Sequence, residues 1–158
     1  MSSLAFDSLL LDTHIVIWMA TKPARLPKAL QTAMEKAKNL FVSHVSAWEI
    51  QIKHEKHGAE FGFSLPHLEE VMKAFACREL PVEYRDIRRL DHMRFVHQDP
   101  FDRLLMAQAS VRPVYLATLD VNIEKTFKHE KAFSLFTDQP HSGVPSALIG
   151  VRQRPIKS

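Results

Sequence analysis

Short apolar runs taking turns with stretches of helical spacing constrain this chain more than any other feature. Residues 8–11 (SLLL), 40–45 (LFVSHV) and 114–119 (VYLATL) read as buried strands, and 80–82 and 132–136 are shorter candidates. Helical spacing runs over 27–38, 47–57, 66–76, 83–92, 100–111 and 121–128. This alternation predicts an α/β sandwich around a mainly parallel sheet. Pro113 opens the run 114–119 and does not interrupt it. At 158 residues the chain suits one domain, expected over 1–138. The stretch 139–158 changes character: it holds Pro140, Pro145, Pro155, two of the four glycines and a basic end. It is expected to be a tail or strap, not a second domain.

Composition removes several classes. A chain 46% hydrophobic and 25% charged is globular, neither disordered nor collagen-like. Cys77 is the only cysteine, which excludes an intramolecular disulfide framework and a multi-cysteine zinc ribbon. No run approaches ~18 apolar residues, so no membrane span is expected. The opening MSSLAFDSLLLDTH has no early basic charge and its apolar run ends in Asp12, so the expectation is a soluble cytoplasmic protein without a secretory signal. The net charge of +3 is weak evidence for a polyanion partner. Arg152, Arg154 and Lys157 lie in the last seven residues, and the remaining 18 basic residues balance 18 acids.

The acids are better placed than they are numerous. Asp12 directly follows SLLL, Glu49 lies early in the helix after LFVSHV, Asp102 is in the first turn of PFDRLLMAQASV, and Asp120 ends VYLATL. In an open parallel sheet the C-terminal strand ends and the following helix N-termini line one crevice. Four carboxylates far apart in sequence therefore fall on one predicted edge. Like charges so gathered repel, and hard divalent cations such as Mg²⁺ or Mn²⁺ offset that repulsion and promote attack on a phosphodiester.

Each acid also has a purely structural reading. Ser46-Ala-Trp-Glu49 has the pattern of a capping box, and Asp99 before Pro100 that of an N-cap with proline at the first helical position. Asp12 and Asp120 suit caps of short helices, and first-turn acids are favoured by the helix dipole alone. His54 and His57 have no further ligand at metal spacing and read as a solvated face, Glu49 and Lys53 as a helix pair. Trp48 and Ile52 read as a core stripe, as do Phe101, Leu104, Leu105 and Gln108, and Cys77 as a buried hydrophobe. No GxGxxG, Walker or GxSxG element occurs.

LLLDTHIVIWMA, VSHVSAWEIQIKHEKHG, HQDPFDRLLMAQA and YLATLD, in that order, resemble the PIN-domain ribonucleases, and among them the VapC-type toxins of bacterial toxin–antitoxin pairs. The resemblance runs from about Leu9 to Asp138. It implies a three-layer α/β/α fold with a central, mainly parallel sheet of four or five strands. It also implies a Mg²⁺- or Mn²⁺-dependent endoribonuclease that hydrolyses RNA phosphodiester bonds, is a homodimer and is neutralised by an antitoxin. The family's acidic quartet falls on Asp12, Glu49, Asp102 and Asp120, the four that sheet-edge placement selects. In supporting roles the resemblance brings Asp99, as an outer contact; Thr118, positioning a water or Asp120; and Ser46, before WE. It leaves Arg103 two roles, steadying a carboxylate or a phosphate. His44 stands where small residues are common, and the tail has no family counterpart. Two rival readings remain: a housekeeping PIN nuclease in RNA processing, and a catalytically inactive PIN-fold binding module. Retention of all four acids argues against the second.

Overall fold

The structure is a computed structural model that describes residues 7–93, 99–120 and 123, with the backbone of 134–136 and 148–152. Its sheet is built outward from β1 (Ser8–Leu11), which pairs in parallel with β2 (Asn39–Ser43) on one side and β4 (Tyr115–Ala117) on the other. β3 (Arg78–Leu80) pairs in parallel with β2. Two antiparallel strands extend the sheet past β4: β6 (Leu148–Arg152) lies against β4 and β5 (Ser134–Phe136) against β6. The order is β3-β2-β1-β4-β6-β5.

The four parallel strands are the mainly parallel sheet expected from the sequence. β6 comes from within 139–158, where the run LIGVR sits between Pro145 and Pro155. The rest of that stretch, and the helix expected over 121–128 except Ile123, lie outside the described residues.

Among the described residues six α-helices flank the sheet: α1 (Thr13–Thr21), α2 (Lys28–Lys36), α3 (His44–His57), α4 (Leu65–Ala74), α5 (Tyr84–Arg89) and α6 (Pro100–Ser110). The layers follow from the pleat of β1. Successive side chains point to opposite faces, so a central strand covered on both must be apolar throughout. Leu9 and Leu11 pack with Ile15, Val16, Leu30, Val42, Ile50 and Leu68, while Leu10 packs on the other side with Leu105, Met106 and Leu116. All three leucines are fully buried, each worth ~1.5–3 kcal/mol relative to exposure.

One expected local feature is corrected. α3 begins at His44, and its cap is Ser43, whose side chain accepts a hydrogen bond from the Val45 amide at 2.9 Å. Ser46 and Glu49 therefore do not form a capping box. A serine three residues upstream already satisfies the helix end, and β2 stops there.

A buried polar chain ties the helices together. The Arg112 guanidinium donates to the fully buried Asp86 carboxylate through both terminal nitrogens, and to the Gln108 carbonyl at 3.0 Å. The Gln108 side chain in turn accepts from Ser43 Oγ and donates to the Pro81 carbonyl. The cap of α3 is thus held against α6 and α5.

Candidate active site

The chain leaves β1 toward β2 and β3, then returns to add β4 on β1's other side. The strand order therefore reverses at β1, and the C-terminal ends of β1 and β4 border the crevice where open α/β sheets bind ligands. Asp12 is the first residue past β1; its amide still donates to the Ala117 carbonyl of β4 at 3.0 Å. Thr118, just past β4, donates from Oγ1 to Asp12 Oδ2 at 2.8 Å and accepts from the Asp120 amide at 3.0 Å. One hydroxyl thereby fixes the Asp12 carboxylate and the backbone of Asp120.

The other two acids arrive on helices. Glu49 lies in the second turn of α3 and is 2% exposed; Lys53 Nζ donates to its Oε2 at 2.7 Å. The Ser46 and Thr13 hydroxyls, both buried, are hydrogen-bonded at 2.8 Å, pinning the first turn of α3 to the start of α1. Asp99 caps α6, with Oδ1 accepting from the Phe101 and Asp102 amides at 2.8 and 3.2 Å. Asp102 follows in the first turn and is 9% exposed. Arg103 is half-buried, and its Nε has no hydrogen-bond partner among the described residues.

Electrostatics shows how near these groups come to one another. Asp102 is pushed up to about 8, first by burial and then by the charges of Asp12, Asp99, Glu49 and Asp120. The Asp12 carboxyl is also raised: its burial and the Glu49 charge outweigh the Thr118 hydrogen bond and the nearby His14. All four acids selected from the sequence, with Asp99, therefore share one neighbourhood.

Structural readings fare unequally. Asp99 is a cap as expected. Asp12 occupies the N-cap position of α1 without making a side-chain cap bond, and Glu49 has lost the box that would have explained it. Asp12 Oδ1 and Glu49 Oε1 are buried without a hydrogen-bond partner among the described residues. Such oxygens cost stability unless something meets them, and hard cations take carboxylate oxygen. Among the described residues no three acidic, histidine or cysteine side chains are already arranged to hold a metal ion. The donor set is carboxylate oxygen throughout, which is the chemistry a hard divalent cation takes.

A PIN-domain family model matches residues 9–128. The chain belongs to the PIN-domain family. Among solved structures this PIN-domain chain is similar in fold to the crystal structure of VapBC2 from Rickettsia felis bound to a DNA fragment from their promoter. The TM-score is 0.53 at 14% identity, covering 75% of this chain and 92% of that one. No curated protein matches it.

Other candidates fall away from the crevice. His54 and His57 are exposed on α3, and burial raises the half-buried Cys77 thiol to about 11, far from a thiolate nucleophile at neutral pH. A cavity of 480 Å³ lined by Met19, Leu26, Met34, Leu40 and Phe75 opens near the start of β2, whereas the acids lie at the strand C-termini. Among the described residues no helix is long and apolar enough to cross a membrane. Trp48 corrects an expectation: it is 60% exposed and belongs to no core. The inward face of α3 runs through Val45, Ser46, Glu49 and Ile50, so polar residues take interior positions and Trp48 is turned outward. The Glu49–Lys53 pair read from its i, i+4 spacing is present; Thr13, whose hydroxyl holds Ser46, is the partner of the site that the sequence pattern missed.

Proposed function

We propose that this PIN-domain protein is a metal-dependent endoribonuclease that hydrolyses RNA phosphodiester bonds as the toxin of a toxin–antitoxin pair. The observation that carries the reading is the pair of buried carboxylate oxygens on Asp12 and Glu49 that meet no partner among the described residues, within a cluster whose charges also act on Asp102. Asp12, Glu49, Asp102 and Asp120 would hold a divalent cation, Mg²⁺ or Mn²⁺. When bound, the ion neutralises charge on the phosphoryl oxygens and activates water.

The chain's own residues do the rest. Thr118 holds the Asp12 carboxylate in one orientation, and Lys53 holds Glu49 from the other side, leaving Glu49 Oε1 to orient or accept a proton from the attacking water. Ser46 and Thr13 keep α3 seated so that Glu49 stays in the crevice. Asp99 shapes the start of α6, and Arg103, next to Asp102 in the chain, would steady a carboxylate or phosphate. The clustered carboxylates repel RNA, and a cation held by Asp12, Glu49, Asp102 and Asp120 would offset that repulsion.

The toxin assignment is supported by the fold shared with a VapBC2 structure, and it brings an antitoxin partner, a homodimeric state and a cytoplasmic location into the proposal. Purified protein incubated with total RNA and Mg²⁺, with cleavage ends mapped, is the test. Discrete ends that vanish with EDTA and in Asp12→Asn are the expected result. Cleavage undiminished in Asp12→Asn would remove the carboxylates from the chemistry.

A further inference from the structure

We propose that Trp48 and Phe101 form a platform beside the carboxylates on which a base flanking the scissile phosphodiester of single-stranded RNA stacks; this rests on the phosphodiesterase reading above. A scattered exposed apolar side chain needs no explanation, but this pair is placed. Trp48 immediately precedes Glu49 on α3, and Phe101 immediately precedes Asp102 on α6. Their rings meet across the two helices at a centroid separation of 5.2 Å and an interplanar angle of 74°. Phe101 is half-buried against the core around Leu105 and Met106, so it is anchored, and edge-to-face contact holds the indole in place. Trp48 stays 60% exposed. Phe75, Tyr84 and Ile87 are also large and exposed, but none adjoins a carboxylate of the cluster.

Neighbouring side chains on a helix diverge by about 100°, so Trp48 leaves the interior to Glu49 and meets Phe101 of α6 at the surface. An RNA whose phosphate reaches Glu49 and Asp102 would pass the residues that precede both, where its neighbouring base meets these rings. Unstacked RNA bases are held on aromatic side chains in this way, with little demand on sequence because every base has a π-face. The platform would bind a base without touching the reacting atoms, which makes Trp48 a positioning residue.

The experiment uses a short single-stranded RNA spanning a cleavage site mapped in total RNA, with Mg²⁺ and the full chain. Trp48→Ala should raise KM by about tenfold and leave kcat within about threefold. Trp48→Phe should keep a KM close to wild type, whereas Trp48→Leu, apolar without a π-face, should behave like Trp48→Ala. Removing the base next to the scissile phosphate should weaken the wild type comparably and Trp48→Ala no further, as expected for one shared contact. Active wild type with an unchanged KM in Trp48→Ala, or full rescue by Trp48→Leu, would overturn the platform alone. So would a Trp48→Ala protein that sediments at half the wild-type mass, which would assign the patch to self-association. A wild type that cleaves no RNA would remove the phosphodiesterase reading and the platform together.

Discussion

Asp102 is the residue on which burial and four neighbouring carboxylates act in the same direction. Its folded pKa, about 8, lies above the ordinary aspartate value, so in metal-free protein the folded state binds a proton that the unfolded chain has already released. Stability should therefore fall as pH rises from about 4 toward 8, and level off above it. Asp102→Asn cannot ionise, so it should be more stable than wild type near neutral pH in EDTA and should lose this part of the slope. Denaturant melts across that pH range check both. Asp99, by contrast, accepts two amides at the start of α6. Asp99→Ser keeps a capping oxygen and should retain most RNA cleavage, while Asp99→Ala should cost about 1 kcal/mol of stability. Single-turnover cleavage and melts of the two variants separate a cap from a ligand.

Among the elements, α3 and α6 have to be held at a fixed separation, since one carries Glu49 and the other Asp102. The buried chain Asp86–Arg112–Gln108–Ser43 spans that gap. Arg112→Met would leave Asp86 buried without its main cationic partner and should destabilise the protein by roughly 3–5 kcal/mol, measurable by urea unfolding. Pairing it with Asp86→Leu should recover much of the loss, because breaking a buried pair costs more than replacing it. None of this chain was legible in the sequence, where Arg112 and Asp86 are two charges among many. α1 was not among the expected helices for another reason. Its run THIVIWMAT is apolar on nearly every side and rich in β-branched residues, so it shows no clear period. The start of α3 was misplaced because Ser43 and Ser46 are both plausible caps, and only the end of β2 chooses between them. Strong alternation of strand and helix, in contrast, survives such local ambiguity, so the parallel order around β1 was readable.

In the whole molecule, four segments separated by tens of residues bring carboxylates to one edge because β1 lies between β2 and β4. That convergence could be argued from strand ends alone. The sequence already marked Asp99 as a cap, and it is one. What it could not show is that Asp12 and Glu49 make no cap and, among the described residues, each keep one buried oxygen unmet. Holding such a cluster together costs the metal-free fold stability, and a cation that binds only the folded state returns it. Mn²⁺ titration followed by thermal melting of wild type and Asp102→Asn addresses this most directly. Wild type should gain stability saturably, by about 2.7 kcal/mol at 100 times Kd, while Asp102→Asn should start higher in EDTA and gain far less. An equal rise in both proteins, or no saturable rise in wild type, would contradict a cation site built from these carboxylates.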